Sequence, residues 1–516
     1  MKKIQSLFKE DSKYLLTGFS LLLICLLLVT TMHSEEDFTL NLPTSNMFTI
    51  ASWVIIVLLG IFGILFIKNI DKKNIKLEKV FLILVIPIGI ITSLSRPLGR
   101  IPDEVYHSRK AMAIAQGNFF SKQNEEGKAT DYFNSKLNEL VTLDSKDYRE
   151  ALRRLTLAET EDMVELEYTT MALYSPVCHL PQAFAMFIIK LFKGSVPLQC
   201  YAARLANFAV SVFLIYEAIK LIPTKKILVL FLGLLPITIQ EIVSMSVDAL
   251  TISISIFYIS YIFYLKYDES KAYISNKDII VLLITSLVVS LCKIVYLPLC
   301  LLLIILPKEK FKSNKIKNIV ILSIILLSVI LNLIWMVYCS RFLIEFNIGV
   351  NSGEQVKYVL THPFSYFLTL FRSMNEYQQI YIVGLCGESL GVYDAQSSVI
   401  FITPCMLIFA MIILVNDEND KIQFDTFTKL TCFTIFAITV ALIYTSLYVQ
   451  WTVVKSPLIY GVQSRYFLPI LLLTDIFLRN SAIVYKKKDI RYIILFMLFL
   501  NLNTISVILY RYHIGV

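Results

Sequence analysis

The chain is poor in charge and lacks the motifs that mark many soluble enzymes. Only 17% of its 516 residues are charged, its five histidines are dispersed, and it has no CxxC pair, P-loop, HExxH helix or GxSxG elbow. These absences leave no support for a structural zinc site, a P-loop nucleotidase, a zinc protease or a serine hydrolase. We interpret the nine cysteines as small buried hydrophobes, with Cys178 and Cys200 as the one pair that could form a disulfide.

Long apolar runs dominate the sequence instead. Hydrophobic residues make up 56% of the chain. A helix of ~20 apolar residues crosses ~30 Å of hydrocarbon and satisfies its own backbone polar groups. We therefore predict an all-α polytopic transmembrane helical bundle with thirteen spans. The predicted spans are 14–31, 47–67, 80–95, 201–222, 226–241, 249–265, 279–292, 295–306, 317–339, 397–415, 429–449, 465–480 and 490–510.

The lysines predict the orientation of these spans in the cell membrane. Basic residues favour cytoplasmic loops, so the N-terminus is predicted inside and the C-terminus outside. The net charge of +9 follows from these loops and does not indicate a nucleic-acid partner, because no RGG tract or helix-turn-helix pattern is present. The basic loops contain Lys68, Lys72, Lys73, Lys76 and Lys79, then Lys225 and Lys226, then Lys266, Lys271 and Lys277, then Lys308, Lys310, Lys312, Lys315 and Lys317, and finally Lys486, Lys487 and Lys488.

Two segments decide the parity of this topology. The apolar run Leu180–Phe192 must enter the membrane without crossing it, and residues 279–306 must form two helices rather than one. A lysine in mid-span costs at least ~2.5 kcal/mol, so a break at Lys293 is favoured.

The topology divides the chain into two parts. Residues 1–79 contain two N-terminal helices and a basic loop, and residues 80–510 form the transmembrane core, with outer loops at 96–200 and 340–396. The first outer loop is predicted to hold juxtamembrane helices. One covers 104–116, capped by Asp103 and closed by Gly117, and amphipathic turns follow within 134–167.

The first outer loop opens with the densest chemical cluster in the chain. Asp103 and Glu104 are adjacent carboxylates, and His107 follows Asp103 by one helical turn. A carboxylate at a membrane surface can act as a general base, although an acid at this position is also typical of a simple helix cap. Other polar residues are predicted at the same outer level, where each alone is typical of a membrane-interface anchor. They are Arg204, Asp248, Lys293, Tyr296, Gln463, Arg465 and Tyr466.

Several short motifs follow one another in order along residues 80–500. They are Ile101-Pro102-Asp103-Glu104-Val105-Tyr106-His107 running on to Ala115-Gln116-Gly117, Tyr174-Ser175-Pro176 through Leu180-Pro181-Gln182, Arg204-Leu205-Ala206-Asn207, Ser246-Val247-Asp248-Ala249-Leu250, Lys293-Ile294-Val295-Tyr296-Leu297-Pro298, His362-Pro363 with Gly384 to Gly391, and Arg465-Tyr466-Phe467-Leu468-Pro469. Together they resemble a bacterial membrane family of unknown function that looks related to the GT-C superfamily of glycosyltransferases. The family usually has glycine where this chain has Ser464, and the two N-terminal helices look like an addition.

The resemblance implies a GT-C-like fold and a specific chemistry. Such enzymes take a sugar from a polyprenyl-phosphate donor and transfer it to a glycan or lipid acceptor on the outer face of the membrane. Asp103, with Glu104 as substitute, would be the base or a metal ligand. Arg204, Lys293 and Arg465 would neutralise the donor phosphate. No cofactor is certain, but Asp103, Glu104 and His107 could hold Mg²⁺ or Mn²⁺ weakly.

Three functions remain open from the sequence. The favoured hypothesis is a membrane glycosyltransferase. The second is a transporter or flippase of lipid-linked saccharides, which the scarcity of charge in mid-span disfavours. The third is a non-enzymatic component of a surface-polysaccharide assembly system, in which Asp103 is only a cap.

Overall fold

The structure, a computed structural model, describes residues 2–34, 43–70, 73–137, 162–343, 348–392, 394–417, 422–485 and 490–514. The predicted basic residues Lys72 and Lys486 to Lys488 lie outside these ranges. So do the predicted amphipathic turns between residues 138 and 161.

The described residues form eighteen α-helices, together with five short strands and several 3-10 helices. The α-helices are α1 (Lys2–Ser34), α2 (Pro43–Lys68), α3 (Leu77–Ser95), α4 (Glu104–Ala115), α5 (Thr169–Ala172), α6 (Leu180–Leu191), α7 (Val196–Leu221), α8 (Lys226–Leu234), α9 (Pro236–Ile242), α10 (Asp248–Tyr267), α11 (Asn276–Cys292), α12 (Asn314–Cys339), α13 (Ser352–Thr361), α14 (Pro363–Leu385), α15 (Val399–Leu414), α16 (Thr426–Gln450), α17 (Leu472–Leu478) and α18 (Ile490–Leu509). The strands are β1 (Lys122–Gln123), β2 (Ala129–Asn134), β3 (Met163–Glu167), β4 (Val415–Asp417) and β5 (Asn480–Tyr485). The longer 3-10 helices are Ile294–Ile305 and Ser464–Ile470.

Among the described residues, 8 helices are long and apolar enough to cross a membrane. Their spans are Asp11–Thr30, Ile50–Lys68, Leu77–Ser95, Val196–Leu221, Asp248–Tyr267, Asn314–Phe342, Thr426–Gln450 and Ile490–Tyr512. The other five predicted spans are helical too, but they are shorter or interrupted. The predicted span 226–241, for example, breaks between α8 and α9 at Pro236, which has no N–H to continue the ladder. Eight candidate spans are therefore observed, and the count of thirteen stays a prediction.

One of the two segments that decide the parity has the predicted form. Helix α11 ends at Cys292, Lys293 is extended with φ −148° and ψ 124°, and the next helix begins at Ile294. Residues 279–306 are thus two helices. Helix α6 has 12 residues and a length of roughly 18 Å, less than the ~30 Å of hydrocarbon, and its position in the membrane without crossing stays a prediction.

The segment predicted to be the first outer loop, 96–200, is not purely helical, which corrects the all-α prediction. Strands β1, β2 and β3 form an antiparallel sheet in which Thr130 lies opposite Glu167. Phe133 of β2 is buried while its neighbour Tyr132 is exposed, as the alternation of a strand requires. The short length of these strands hides this period among the helical patterns. Strands β4 and β5 add a small parallel pair.

Two helices lie at the centre of the bundle and others face outward. In the most apolar stretch of the spans of α10 and α18, 89% and 94% of the residues are buried, whereas only 22% are buried in that of α12. Outward helices expose large apolar residues such as Leu58 and Leu333, which suits contact with lipid. All nine cysteines are buried and free, so the interpretation as buried hydrophobes is confirmed and the Cys178–Cys200 disulfide is not formed.

Candidate functional site

Five charged residues meet where helices begin or break. Asp103 precedes α4, Glu241 lies in the last turn of α9, and Asp248 is the first residue of α10. Lys293 joins α11 to the following 3-10 helix, and Arg465 lies in the first turn of the 3-10 helix Ser464–Ile470. Helix ends place polar side chains at one level of the bundle. The predicted convergence of Asp103, Asp248, Lys293 and Arg465 is therefore observed, and we call these five residues the charged cluster.

Arg465 is the centre of the charged cluster. Its side chain is only 4% exposed, and its Nη2 atom donates a hydrogen bond of 2.8 Å to Oδ2 of Asp103. Its Nε atom lies 3.0 Å from Oδ2 of Asp248, and its Nη1 atom lies 3.6 Å from Oε1 of Glu241. A buried guanidinium needs such carboxylate partners because burial removes its hydration. The site thus surrounds one arginine with three acids.

Lys293 is the second cation of the charged cluster. It forms an ion pair with Asp248, and its Nζ atom lies 4.6 Å from the centre of the Tyr466 ring and 5.8 Å from that of Tyr174. Aromatic faces attract ammonium groups at these distances. The hydroxyl of Tyr296 donates a hydrogen bond of 2.8 Å to the backbone carbonyl of Tyr466. Tyr296 therefore supports the backbone directly after Arg465.

Asp103 does not cap helix α4, which corrects the prediction from the sequence. The helix does run from Glu104 to Ala115, and Gly117 follows it with a φ of 93°. However, Asp103 has a φ of 62° in the left-handed region, and its side chain makes no capping hydrogen bond. Aspartate is among the residues that adopt this region most readily after glycine, because its short polar side chain can form local hydrogen bonds. The carboxylate is directed to Arg465 instead and remains 47% exposed.

A cleft opens beside Arg465, with about 400 Å³ of empty space including its open mouth. Arg465 and Pro102, the chain neighbour of Asp103, line it, so the Asp103–Arg465 pair lies beside the cleft. The wall combines five apolar or aromatic residues with five polar ones, among them the predicted residue Gln463. The other lining residues are Ile237, Gln240, Ile380, Tyr381, Ser389, Val462 and Ser464. Such a lining suits a ligand that has both apolar and polar parts.

Glu104 and Arg204 form a closed pair away from this cleft. Both side chains have 0% exposure, and the guanidinium binds both carboxylate oxygens at 2.7 and 2.6 Å. Arg204 also donates to the backbone carbonyls of Ser93, Arg96 and Pro97. The pair thereby ties α4 and α7 to the end of α3. This placement favours a structural role for two residues that the sequence predicted to be catalytic and phosphate-binding.

His107 is directed to a second histidine rather than to Asp103. Its Nδ1 atom lies 3.0 Å from Nε2 of His179, and both rings are buried. Burial lowers the pKa of His107 to about 4, although the carboxylates of Asp103 and Asp248 act in the opposite direction. Both rings are therefore neutral imidazoles, and one donates its ring N–H in a hydrogen bond to the unprotonated nitrogen of the other.

The predicted metal ligands are not brought together. Asp103, Glu104 and His107 are directed to three different partners: Arg465, Arg204 and His179. Within the described ranges, no group of three or more His, Cys, Asp or Glu residues could hold a metal ion.

Sequence reasoning missed Glu241 and the residues around it. Glu241 is fully buried, and its neighbour Gln240 donates to it at 3.1 Å. The side-chain amide oxygen Oε1 of Gln240 accepts hydrogen bonds from Nη1 of Arg96 and from the backbone N–H of Gly391. A carboxylate at the end of an apolar run such as 226–241 is itself a signal, since ionisable residues in membrane segments are rare and usually functional.

These features define a multi-pass helical membrane protein with a charged site at its helix breaks. Residues 86–474 match the family described as "Predicted membrane protein (DUF2142)", and the chain belongs to that family. The predicted membership in a membrane family of unknown function is thus confirmed, and the matched range leaves out α1 and α2. No curated protein and no solved structure matches the chain.

Proposed function

We propose that the protein is a membrane glycosyltransferase of the GT-C type that moves a sugar from a polyprenyl-phosphate donor to a cell-surface glycan or lipid. One observation carries the proposal. The half-exposed carboxylate of Asp103 is held by a buried arginine that itself lines a cleft of mixed apolar and polar residues. A reactive carboxylate next to a cation suits the transfer of a group from a phosphate.

Asp103 and Arg465 would act together in the proposed reaction. The acceptor hydroxyl gives its proton to Asp103 while its oxygen forms a bond to the anomeric carbon. The bond from that carbon to the phosphate oxygen breaks, and the lipid phosphate leaves with the electron pair. Protonation of Asp103 removes one of the negative charges around Arg465, so the guanidinium attracts the departing phosphate most strongly at that moment. Stabilisation that grows in the transition state accelerates the reaction.

Lys293 would supply the second positive charge. It shares Asp248 with Arg465, and Tyr466 lies beside both cations, at 4.6 Å from Lys293 Nζ and 5.5 Å from the Arg465 guanidinium carbon. The cleft residues Ile380, Tyr381 and Val462 would contact the apolar donor or the sugar ring.

The proposal places this site on the outer face of the cell membrane. Helix α3 begins between Lys76 and Lys79 and ends at Ser95, before the cluster. Its 19 residues extend roughly 28 Å, close to the ~30 Å thickness of the hydrocarbon. Because basic loops favour the cytoplasm, the opposite end of α3 would face outward.

Transport of a lipid-linked saccharide is the second candidate. Broken helices with buried charges at the break are typical of transporters, and Glu241, Asp248 and Lys293 occupy such breaks. Reconstituted vesicles distinguish the two functions. Movement of a labelled lipid-linked sugar across the bilayer, with no new glycosidic product, would favour transport.

The decisive experiment replaces Asp103 by asparagine in cells. Surface glycans are compared by mass spectrometry in cells without the gene, with the wild-type gene and with the Asp103→Asn gene, at equal protein level. Loss of a base is expected to lower product formation ~100-fold or more. The matched control is Glu376→Gln, which neutralises an exposed carboxylate on α14, the helix that supplies Ile380 and Tyr381 to the cleft.

Two results would contradict the proposal. Unchanged glycans in Asp103→Asn cells would remove the base. An unchanged phenotype in Asp103→Ala cells, combined with loss of function on deletion of outer-loop segments that spare 100–117, would favour the non-enzymatic assembly component.

A further inference from the structure

A second, larger cavity lies at the end of the bundle remote from the charged cluster. It encloses about 960 Å³, including its open mouth. The turn before α3, the first turn of α3, the last turn of α7 and the beginnings of α8 and α18 surround it. The lining residues are Ile70, Asn74, Ile75, Lys76, Leu77, Glu78, Lys220, Lys226, Ile490, Arg491 and Ile494.

The wall of this cavity is strongly positive. Lys76, Lys220, Lys226 and Arg491 line it against a single carboxylate, Glu78, and Lys220 also has an ion pair of 2.9 Å with Glu217 outside the lining. Helices α3, α8 and α18 all begin at this wall, and the N-terminus of a helix carries a partial positive charge. An anion is therefore the ligand that this electrostatic environment favours.

The cavity also has an apolar side at the level where membrane helices begin and end. Ile70, Ile75, Leu77, Ile490 and Ile494 contribute to its lining. The candidate span Ile50–Lys68 ends here, and the span Leu77–Ser95 begins here. A ligand that combines a negative head with hydrocarbon chains matches both sides of the cavity.

We propose that this cavity binds the phosphate group of an anionic membrane lipid. Lys76, Lys226 and Arg491 would contact the phosphate, and the isoleucines would contact the upper part of an acyl chain. Basic pockets between membrane helices are suited to anionic headgroups. The site would anchor the α2–α3 turn to the bundle on the face that the lysines predict to be cytoplasmic. It does not depend on the proposed transferase activity.

The test measures lipid retention by the full chain. The protein is reconstituted in nanodiscs that contain equal amounts of phosphatidylglycerol and phosphatidylcholine, and native mass spectrometry then counts the lipids that stay bound after release. Wild type is expected to retain phosphatidylglycerol in preference. The Lys76→Gln, Lys226→Gln double variant should lose this retention ~10-fold or more, since each basic residue near a membrane surface contributes about fivefold in affinity.

The matched control is the Lys73→Gln, Lys79→Gln double variant. It removes the same number of lysine charges, from the α2–α3 turn and the first turn of α3 where Lys76 also lies, and neither residue lines the cavity. Retention should equal that of wild type. An equal loss in the control would overturn the proposal, because a diffuse basic surface would then account for binding.

Further arms keep the proposal falsifiable. Equal retention of the two lipids by wild type overturns the proposal, whatever the behaviour of the variants. If the double variant fails to fold, the single variant Lys76→Gln replaces it. Glycerol phosphate, added to lipid-depleted protein, tests the soluble source of the same chemistry. A thermal shift as large as that given by phosphatidylglycerol would mean that the cavity binds a free phosphate, and the lipid would be excluded.

Discussion

At the scale of single residues, burial separates two kinds of ion pair in this protein. Glu104–Arg204 is wholly buried and closed on both sides, whereas Asp103–Arg465 joins a half-exposed acid to a buried base. Neither solvent nor a ligand can reach the Glu104–Arg204 pair. In the Asp103–Arg465 pair, the carboxylate of Asp103 remains accessible while Arg465 holds it in position.

Replacement of Arg204 is expected to destabilise the protein severely. In Arg204→Met the carboxylate of Glu104 would stay buried without its cation, which costs about 3–5 kcal/mol. The free energy of unfolding in detergent measures the effect. The control is Lys220→Met, which removes an exposed partner of Glu217 and should cost less than about 1 kcal/mol. Equal losses would show that Glu104–Arg204 is not a structural pair.

Arg465→Lys tests the forked contact of the central cation. Lysine keeps the charge but cannot reach Asp103 and Asp248 at once through a planar fork. We expect surface-glycan formation to fall at least ~10-fold while the folded fraction stays near wild type, since Asp103 loses the partner that orients it. Full activity in this variant would mean that charge alone is sufficient at position 465.

At the scale of elements, close packing between α14 and the 3-10 helix Ser464–Ile470 positions Arg465. A Cβ atom added to Gly384 would lie 2.2 Å from Oγ and 3.1 Å from Cβ of Ser464, the residue before Arg465. When Gly384 is enlarged, the hydroxyl of Ser464 must therefore rotate away, and the Cβ of Ser464, with the backbone that carries it, must shift by a few tenths of an ångström. Glycine at position 384 therefore permits the close approach of α14 to the 3-10 helix that carries Arg465.

Gly384→Ala is expected to lower activity, with a cost of ~1–3 kcal/mol for overpacking. The second substitution Ser464→Gly removes both atoms that the new Cβ would meet and should restore much of the loss. Gly353→Ala on α13 is the control, because its added Cβ would meet only Asn351 Oδ1 at 3.5 Å. Activity and melting temperature are measured for wild type and for these three variants. Failure of Ser464→Gly to rescue would separate Gly384 from the site.

The sequence predicts the position of elements better than the direction of side chains. The apolar runs, the break at Lys293 and the collection of Asp103, Asp248 and Arg465 at one level follow from periodicity and from the cost of a charge in lipid. The partners do not follow, because they join distant parts of the chain. Glu104 therefore resembled a catalytic acid, and Glu241 was not recognised. Strands β2 and β3 were missed because five or six residues carry too short a pattern.

At the scale of the whole molecule, stability should depend on pH through the buried histidines. The pKa of His107 is lowered from 6.5 to about 4, mainly by burial. Between these values the unfolded chain binds a proton that the folded chain does not. The contribution of neutral His107 to the free energy of unfolding is therefore fully present above pH ~6.5, and it is lost as the pH falls toward ~4.

Thermal unfolding in detergent from pH 7.5 to 4.5 checks this expectation. The melting temperature of wild type should fall across the range, and the fall should be smaller in His107→Gln, which removes the titrating ring and keeps a polar group. An identical pH profile in the variant would assign the acid sensitivity to other groups.

The order of synthesis gives the Asp103–Arg465 contact a further consequence. Glu104 and Arg204 are 100 positions apart, whereas Asp103 and Arg465 are 362 apart. At 5–20 residues per second, the first partner arrives after roughly 5–20 s and the second after roughly 20–70 s. The Glu104–Arg204 pair can thus join α4 to α7 early in synthesis, whereas Asp103 can form its ion pair only after Arg465 has been synthesised. Premature termination before residue 465 would leave Asp103 and Asp248 without the arginine that joins them, and the charged cluster would stay incomplete.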